Sequence, residues 1–99
     1  MSQNKVTVLA LIKAKEGMQE QLKQELISLI GPTHKEAGCI DYLLHQARDD
    51  KTRFMFYENW TSQAALDEHL RAAYLQAFVA KAEQLLAEPL DVTIWERIG

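Results

Sequence analysis

Apolar positions along this chain repeat first with the period of a strand and then with that of a helix, and the alternation recurs to its end. Val6 to Lys15 is β-rich and apolar at nearly every position, which predicts a central strand ended by Gly17. From Met18 the spacing Met18, Leu22, Leu26, Leu29, Ile30 is helical, with Glu20, Gln21, Lys23 and Gln24 on the wet side. Gly31-Pro32 is expected to kink or interrupt that helix, since proline lacks a backbone donor and disfavours helix in the residue before it. A last turn, Thr33 to Ala37, then ends at Gly38, which reads as a helix terminator. Ile40 to Ala47 predicts a second strand that closes through Arg48-Asp49-Asp50-Lys51 on a third, Phe54 to Trp60. Thr61 or Ser62 can cap a helix reaching about Ala72. Tyr74, Phe78, Ala82 and Leu85 continue in a second helical segment that Glu88-Pro89 stops before a last strand, Leu90 to Ile98.

The order is βαββαβ, the ferredoxin-like α+β unit, in which an antiparallel sheet carries its helices on one face. Strand parity places Phe54, Phe56, Glu58 and Trp60 on one side of the third strand and Met55, Tyr57 and Asn59 on the other. Large apolar groups occur on both sides, and the first strand is apolar on both sides too. The helix-free face is therefore expected to be covered by a partner, most simply a second copy of the chain in a homodimer.

At 99 residues the chain is expected to form a single domain spanning residues 1–99. Its 11 basic and 14 acidic residues leave a net charge of −3, and no Lys and Arg cluster suited to phosphates forms, which argues against nucleic acid. The longest apolar stretch, Val6 to Ile12, is interrupted by Thr7 and falls far short of the ~20 residues of a membrane helix. Cys39 is the only cysteine, and the first residues carry neither a basic leader nor a small-residue cleavage site, so a cytoplasmic protein without internal disulfides is expected. Glycines at 17, 31, 38 and 99 build no phosphate loop or dinucleotide fingerprint, and no HxH, HxxxH or CxxC spacing occurs. No cofactor is expected, and a metal would have to gather His45, His69 and Glu58 from separate elements.

Three blocks, EAGCIDYLLH at Glu36 to His45, FMFYENW at Phe54 to Trp60 and AALDEHL at Ala64 to Leu70, carry a resemblance that spans nearly the whole chain. In their order and spacing the sequence resembles the antibiotic biosynthesis monooxygenase (ABM) domain family, closest to its small bacterial quinol monooxygenase-like members. The resemblance implies a dimeric α+β barrel, two ferredoxin-like protomers packed sheet to sheet, each with a cavity between sheet and helices. It also implies cofactor-free oxygenation of a small aromatic diol or quinol by O₂. Haem-degrading members use an axial histidine that would align near Phe78, and no histidine lies between Tyr74 and Leu86. An isomerase of a phosphorylated signalling sugar derivative, the other enzymatic alternative, would need cations near a phosphate, and only Arg53 and Arg71 are close to the blocks. A dimeric binding module without catalysis is the remaining reading.

Within this frame His69, one turn after Leu66, should face the sheet, either as the base that takes a phenolic proton or as a hydrogen-bonded core histidine. Trp60 either floors a flat substrate, its indole N–H donating to a substrate oxygen, or packs in the core. Glu58, sharing a face with Phe56 and Trp60, must be ion-paired with a Lys or Arg or else carry a raised pKa. Asn59 belongs to the dimer face by parity, unless a twist or bulge near Trp60 swings it into the pocket. His45, Tyr42, Tyr74 and Phe78 can line the cavity or simply pack. Cys39 lacks a His or Asp placed to activate it as a nucleophile.

Overall fold

The apolar run at the start of the chain forms β1 (Val6–Lys13), and because both its neighbours in the sheet are strands from later in the sequence, it is central. The computed structural model describes residues 5–99; the expectation that no leader precedes β1 falls largely on residues outside that range. Gly17 turns the chain with φ +88, a left-handed conformation that any side chain would strain. α1 (Gln19–Ile27) buries Leu22 and Leu26, and α2 (Ile30–His34) follows it.

The break between these helices lies at Ser28 and Leu29, ahead of the expected Gly31-Pro32. Proline is the cause at one remove: continuing α1 would press the Pro32 ring against the Ser28 carbonyl and ask Pro32 for an absent N–H, whereas in the first turn of α2 neither demand arises.

β2 (Cys39–Gln46) and β3 (Arg53–Trp60) form the expected hairpin, its turn held by Asp50 Oδ1, which accepts from the Thr52 amide at 3.1 Å and hydroxyl at 2.6 Å. Ser62, of the two capping candidates, accepts from the Ala65 amide at 3.1 Å and starts α3 (Gln63–Arg71). Ala72 is extended, with ψ 137, and separates α3 from α4 (Ala73–Ala82). β4 spans Asp91–Trp95, shorter than the expected Leu90 to Ile98, and every one of its residues is exposed.

The antiparallel order β2-β3-β1-β4 is that of a ferredoxin-like α+β fold. Even-numbered residues of β1 and β3 are buried with the helices: Val8, Ala10 and Ile12 lie beside Phe54, Phe56 and Trp60 and pack with Leu22, Leu26, Leu66 and Phe78. The opposite sheet face carries Leu9, Leu11, Leu43, Met55 and Tyr57 with no helix over it. Among the described residues no helix is long and apolar enough to cross a membrane.

Gly38 is not a left-handed terminator, since only Gly17 has positive φ. A Cβ at position 38 would stand 2.9 Å from Thr61 Oγ1 and closer still to Ala65 Cβ. Glycine is required there because the strand entry crosses the start of α3 in near contact, and the Gly38 carbonyl accepts from the Thr61 amide at 2.9 Å.

Candidate active site

A cavity of about 100 Å³ lies between sheet and helices, in the space that Ala10 leaves beside Phe56. Its walls are apolar, formed by Val8, Leu26, Phe56, Leu66 and Phe78 among others, and two potentially charged residues break them, Glu58 and His69. Leu70, Val79 and Val92 edge it where α3, α4 and β4 meet solvent. Larger depressions of about 450 and 570 Å³ occur elsewhere, but their charged residues are exposed or half-exposed and His69 belongs to neither.

His69 is brought inward because α3 turns Leu66 and His69 to the same side, leaving the ring only 2% exposed. Its Nδ1 lies 2.8 Å from Glu36 Oε2, in the loop between α2 and β2. A carboxylate only accepts, so Nδ1 carries the proton and, in the neutral ring, Nε2 carries the lone pair. The Tyr74 hydroxyl at the start of α4 donates to the same Glu36 oxygen and lies 3.4 Å from Nδ1. Thr33, fully buried in α2, donates to Tyr74 at 2.9 Å. Burial first, and then the bond to Glu36, push the Tyr74 phenol up to about 12, so it keeps its proton. Helices α2, α3 and α4 thus converge on one carboxylate that fixes the tautomer and the pose of His69.

Glu58 is 4% exposed, and among the described residues no cation pairs with it. Its Oε1 accepts from the Trp60 indole N–H at 2.9 Å. Burial pushes the carboxyl up to about 7; the Trp60 bond opposes that rise and the Glu36 charge adds to it. The Trp60 ring, fully buried, lies against His69 with centroids 4.6 Å apart, and Tyr42 stacks on Phe56 at 4.2 Å while presenting its edge to His69. Among the described residues His69 Nε2 and Glu58 Oε2 bond to nothing in the protein, and both residues line the cavity. It offers a lone pair and an acid group within an otherwise greasy wall.

The model of the family described as antibiotic biosynthesis monooxygenase matches residues 5–81. The chain belongs to that family. Uncharacterized protein sll1783 of Synechocystis sp. is 33% identical over 91 residues, 92% of this ABM chain but 62% of that protein, so the chain spans less than two thirds of that relative. Putative monooxygenase YcnE of Bacillus subtilis is 34% identical over 87 residues, 88% of this chain and 92% of that protein. The crystal structure of PA3566 from Pseudomonas aeruginosa superposes with a TM-score of 0.92 at 33% identity, covering 100% of this chain and 99% of that one.

In this ABM domain the sequence-predicted site residues separate by parity. Phe56, Glu58, His69 and Phe78 line the cavity, and Tyr74 stands behind His69 in the polar cluster. Asn59 does not reach it. The irregularity in the β2–β3 pairing, between Cys39 and Asp41, leaves the parity of β3 intact, so Asn59 stays on the helix-free face, accepting from Thr7 at 2.6 Å and donating to Asp41 at 3.0 Å. His45, paired with Met55, is likewise exposed on that face, so His45, His69 and Glu58 do not converge. Trp60 is fully buried and no part of the cavity surface, and its indole N–H goes to Glu58. The Lys or Arg partner expected for Glu58 is absent among the described residues, and the raised pKa holds instead. Arg53 and Arg71 both lie outside the cavity wall. Glu36 and Thr33 escaped sequence reasoning altogether, since the contacts that give them a role join residues 33 and 41 positions apart.

Proposed function

We propose that this ABM protein is a monooxygenase that oxidises a small aromatic diol or quinol with O₂, without a cofactor. The observation that carries the reading is a buried histidine that lines an apolar cavity, its Nδ1–H pinned by Glu36 and its Nε2 bonded to no group among the described residues. Nε2 takes the proton of a quinol hydroxyl, and the Glu36 carboxylate stabilises the imidazolium that forms. The quinolate, held away from water, gives one electron to O₂, and the two radicals join through a new bond between a ring carbon and oxygen. The O–O bond then breaks as that carbon loses its proton: one oxygen stays on the ring and the other leaves as water. The quinol becomes a hydroxyquinone and supplies every electron itself, so no external reductant enters. His69 is the base in this scheme, Phe56 and Phe78 hold the ring, and Glu36, Tyr74 and Trp60 position the groups that touch substrate.

The test is oxygen consumption with a panel of quinols. His69→Ala should lower turnover by roughly 10²-fold or more while the variant keeps its fold by thermal melt. Undiminished activity in a folded His69→Ala protein would refute the assignment. The working unit is a homodimer joined through the helix-free faces, a reading supported by the exposure of Leu11 (42%), Leu43 (47%) and Tyr57 (39%) there. Light scattering should give twice the chain mass at micromolar concentration, and a monodisperse monomer would refute it.

A further inference from the structure

We infer that Glu58 is the second polar contact of the ligand, so that the cavity selects a single-ring phenol bearing, besides the hydroxyl facing His69, an oxygen that accepts a hydrogen bond. The inference deepens the functional reading above and rests on it for the placing of the phenol hydroxyl.

Three observations carry it. Glu58 Oε1 is fixed by the Trp60 indole at 2.9 Å, so the carboxyl of this cavity-lining residue is held in one pose with Oε2 bonded to no group among the described residues. Its surroundings offer no compensating cation. Across the sheet it pairs with Val8 on β1 and Tyr42 on β2; the other ionisable groups near it are Cys39 on β2, Glu36 in the loop before β2, and His69 on α3, while α4 brings only the apolar Phe78. The Tyr42 hydroxyl lies near Thr33, on the α2 side. Finally, a cavity of about 100 Å³ has room for about one aromatic ring, so one small molecule must meet both polar atoms at once. A carboxyl buried in this company is neutral up to about pH 7 and donates through Oε2. The site then presents one acceptor, His69 Nε2, and one donor, Glu58. Its complement carries a hydroxyl and a carbonyl-type oxygen, as a hydroxyaryl ketone or a quinol in transit to its quinone does.

Binding under nitrogen tests this independently of turnover. The probes are the meta and para isomers of hydroxyacetophenone, each compared with the ethylphenol of the same pattern, which keeps the shape and the phenol but lacks the acceptor. The ratio of the two affinities cancels whatever His69 contributes to both. For the wild type, at least one isomer pair should favour the ketone by about tenfold below pH 7, falling toward unity above about pH 8 as Glu58 ionises. Glu58→Gln offers an amide donor in place of the acid and a carbonyl for Trp60, so its preference should persist and lose its pH dependence. Glu58→Met should bind the ethylphenols and show no preference. Equal affinities in the wild type, or a preference that survives in a folded Glu58→Met protein, would overturn the role of Glu58 alone. Failure of every phenol to bind would overturn the reading of the cavity as the site. Binding of the predicted kind without oxygen uptake would leave this inference standing and remove the oxygenase.

Discussion

Replacing Glu58 with Gln should make the protein more stable at neutral and mildly alkaline pH and leave it nearly unchanged in acid. Burial raises the folded-state carboxyl from 4.5 to about 7, whereas in the unfolded chain it titrates near its ordinary value. Below about pH 4.5 the group is protonated in both states and sets no pH dependence. As pH rises, the unfolded chain releases the proton while the folded protein retains it, so stability falls until the folded group ionises as well, at about 7. Each pH unit between the two values is worth about 1.4 kcal/mol, and with Glu58 only 4% exposed little solvent screening intervenes. Between about pH 5 and pH 8 the wild type should therefore lose about 2 to 3 kcal/mol through this residue alone. For a chain of this length that is roughly 10 °C in Tm. Glutamine keeps an acceptor for the Trp60 indole and carries no proton to lose, so any constant cost of the amide shifts its curve without tilting it. Thermal melts of both proteins across this range, followed by circular dichroism, measure the effect. The difference in Tm should widen with pH in favour of Glu58→Gln. Parallel curves would mean that Glu58 titrates like an exposed carboxylate, and the assignment of its neutral form would fall.

Trp60→Phe removes the donor that holds Glu58 and part of a fully buried ring, so it should cost about 1 to 3 kcal/mol and, by raising the folded-state pKa further, extend the decline in stability to higher pH while leaving its onset unmoved; a decline that ends at the same or a lower pH in the same melts would refute the role of the indole. Gly38→Ala should destabilise the fold by about 2 kcal/mol or more in chemical denaturation, and adding Ala65→Gly should recover part of the loss; an unaltered midpoint would show that the crossing of β2 and α3 has slack. Burial, then the charges of Glu36, Glu58 and Asp41, push the Cys39 thiol up to about 11. Its alkylation at about pH 8 should therefore run on the order of 100-fold slower in the folded protein than in the unfolded chain, and equal rates would contradict the environment described for it.

Much of this architecture is legible in the sequence because alternation along a strand leaves a plain record. The parity of Phe54, Phe56, Glu58 and Trp60 identifies the buried side of β3, and the Leu66 to His69 spacing turns the histidine toward it. The same parity puts Asn59 on the outer face, whereas His45 is set there by its pairing with Met55, a register that alternation within β2 alone does not fix. Glu36 has no comparable signature. It follows a five-residue helix, in a loop without periodicity, and its importance comes from α3 and α4 closing on it from more than thirty residues downstream. Gly38 has the sequence context of a helix terminator, yet what demands glycine there is Ala65, a neighbour only in the folded chain. The helix break falls ahead of Gly31-Pro32 because proline's steric reach runs backward, to Ser28.

The alternation along β3 also constrains how proteins built on this plan can change. Met55, Tyr57 and Asn59 answer only to whatever meets the outer face, while Phe56 and Glu58 answer to the cavity. Substitutions in the two sets can accumulate without interfering, so self-association and ligand preference are free to diverge along separate routes. A single insertion or deletion within the strand has no such freedom, because it exchanges the two sets in one step, sending Glu58 outward and a neighbour beneath the helices. Lineages sharing this strand should therefore vary freely in the identity of its residues and hardly at all in its length.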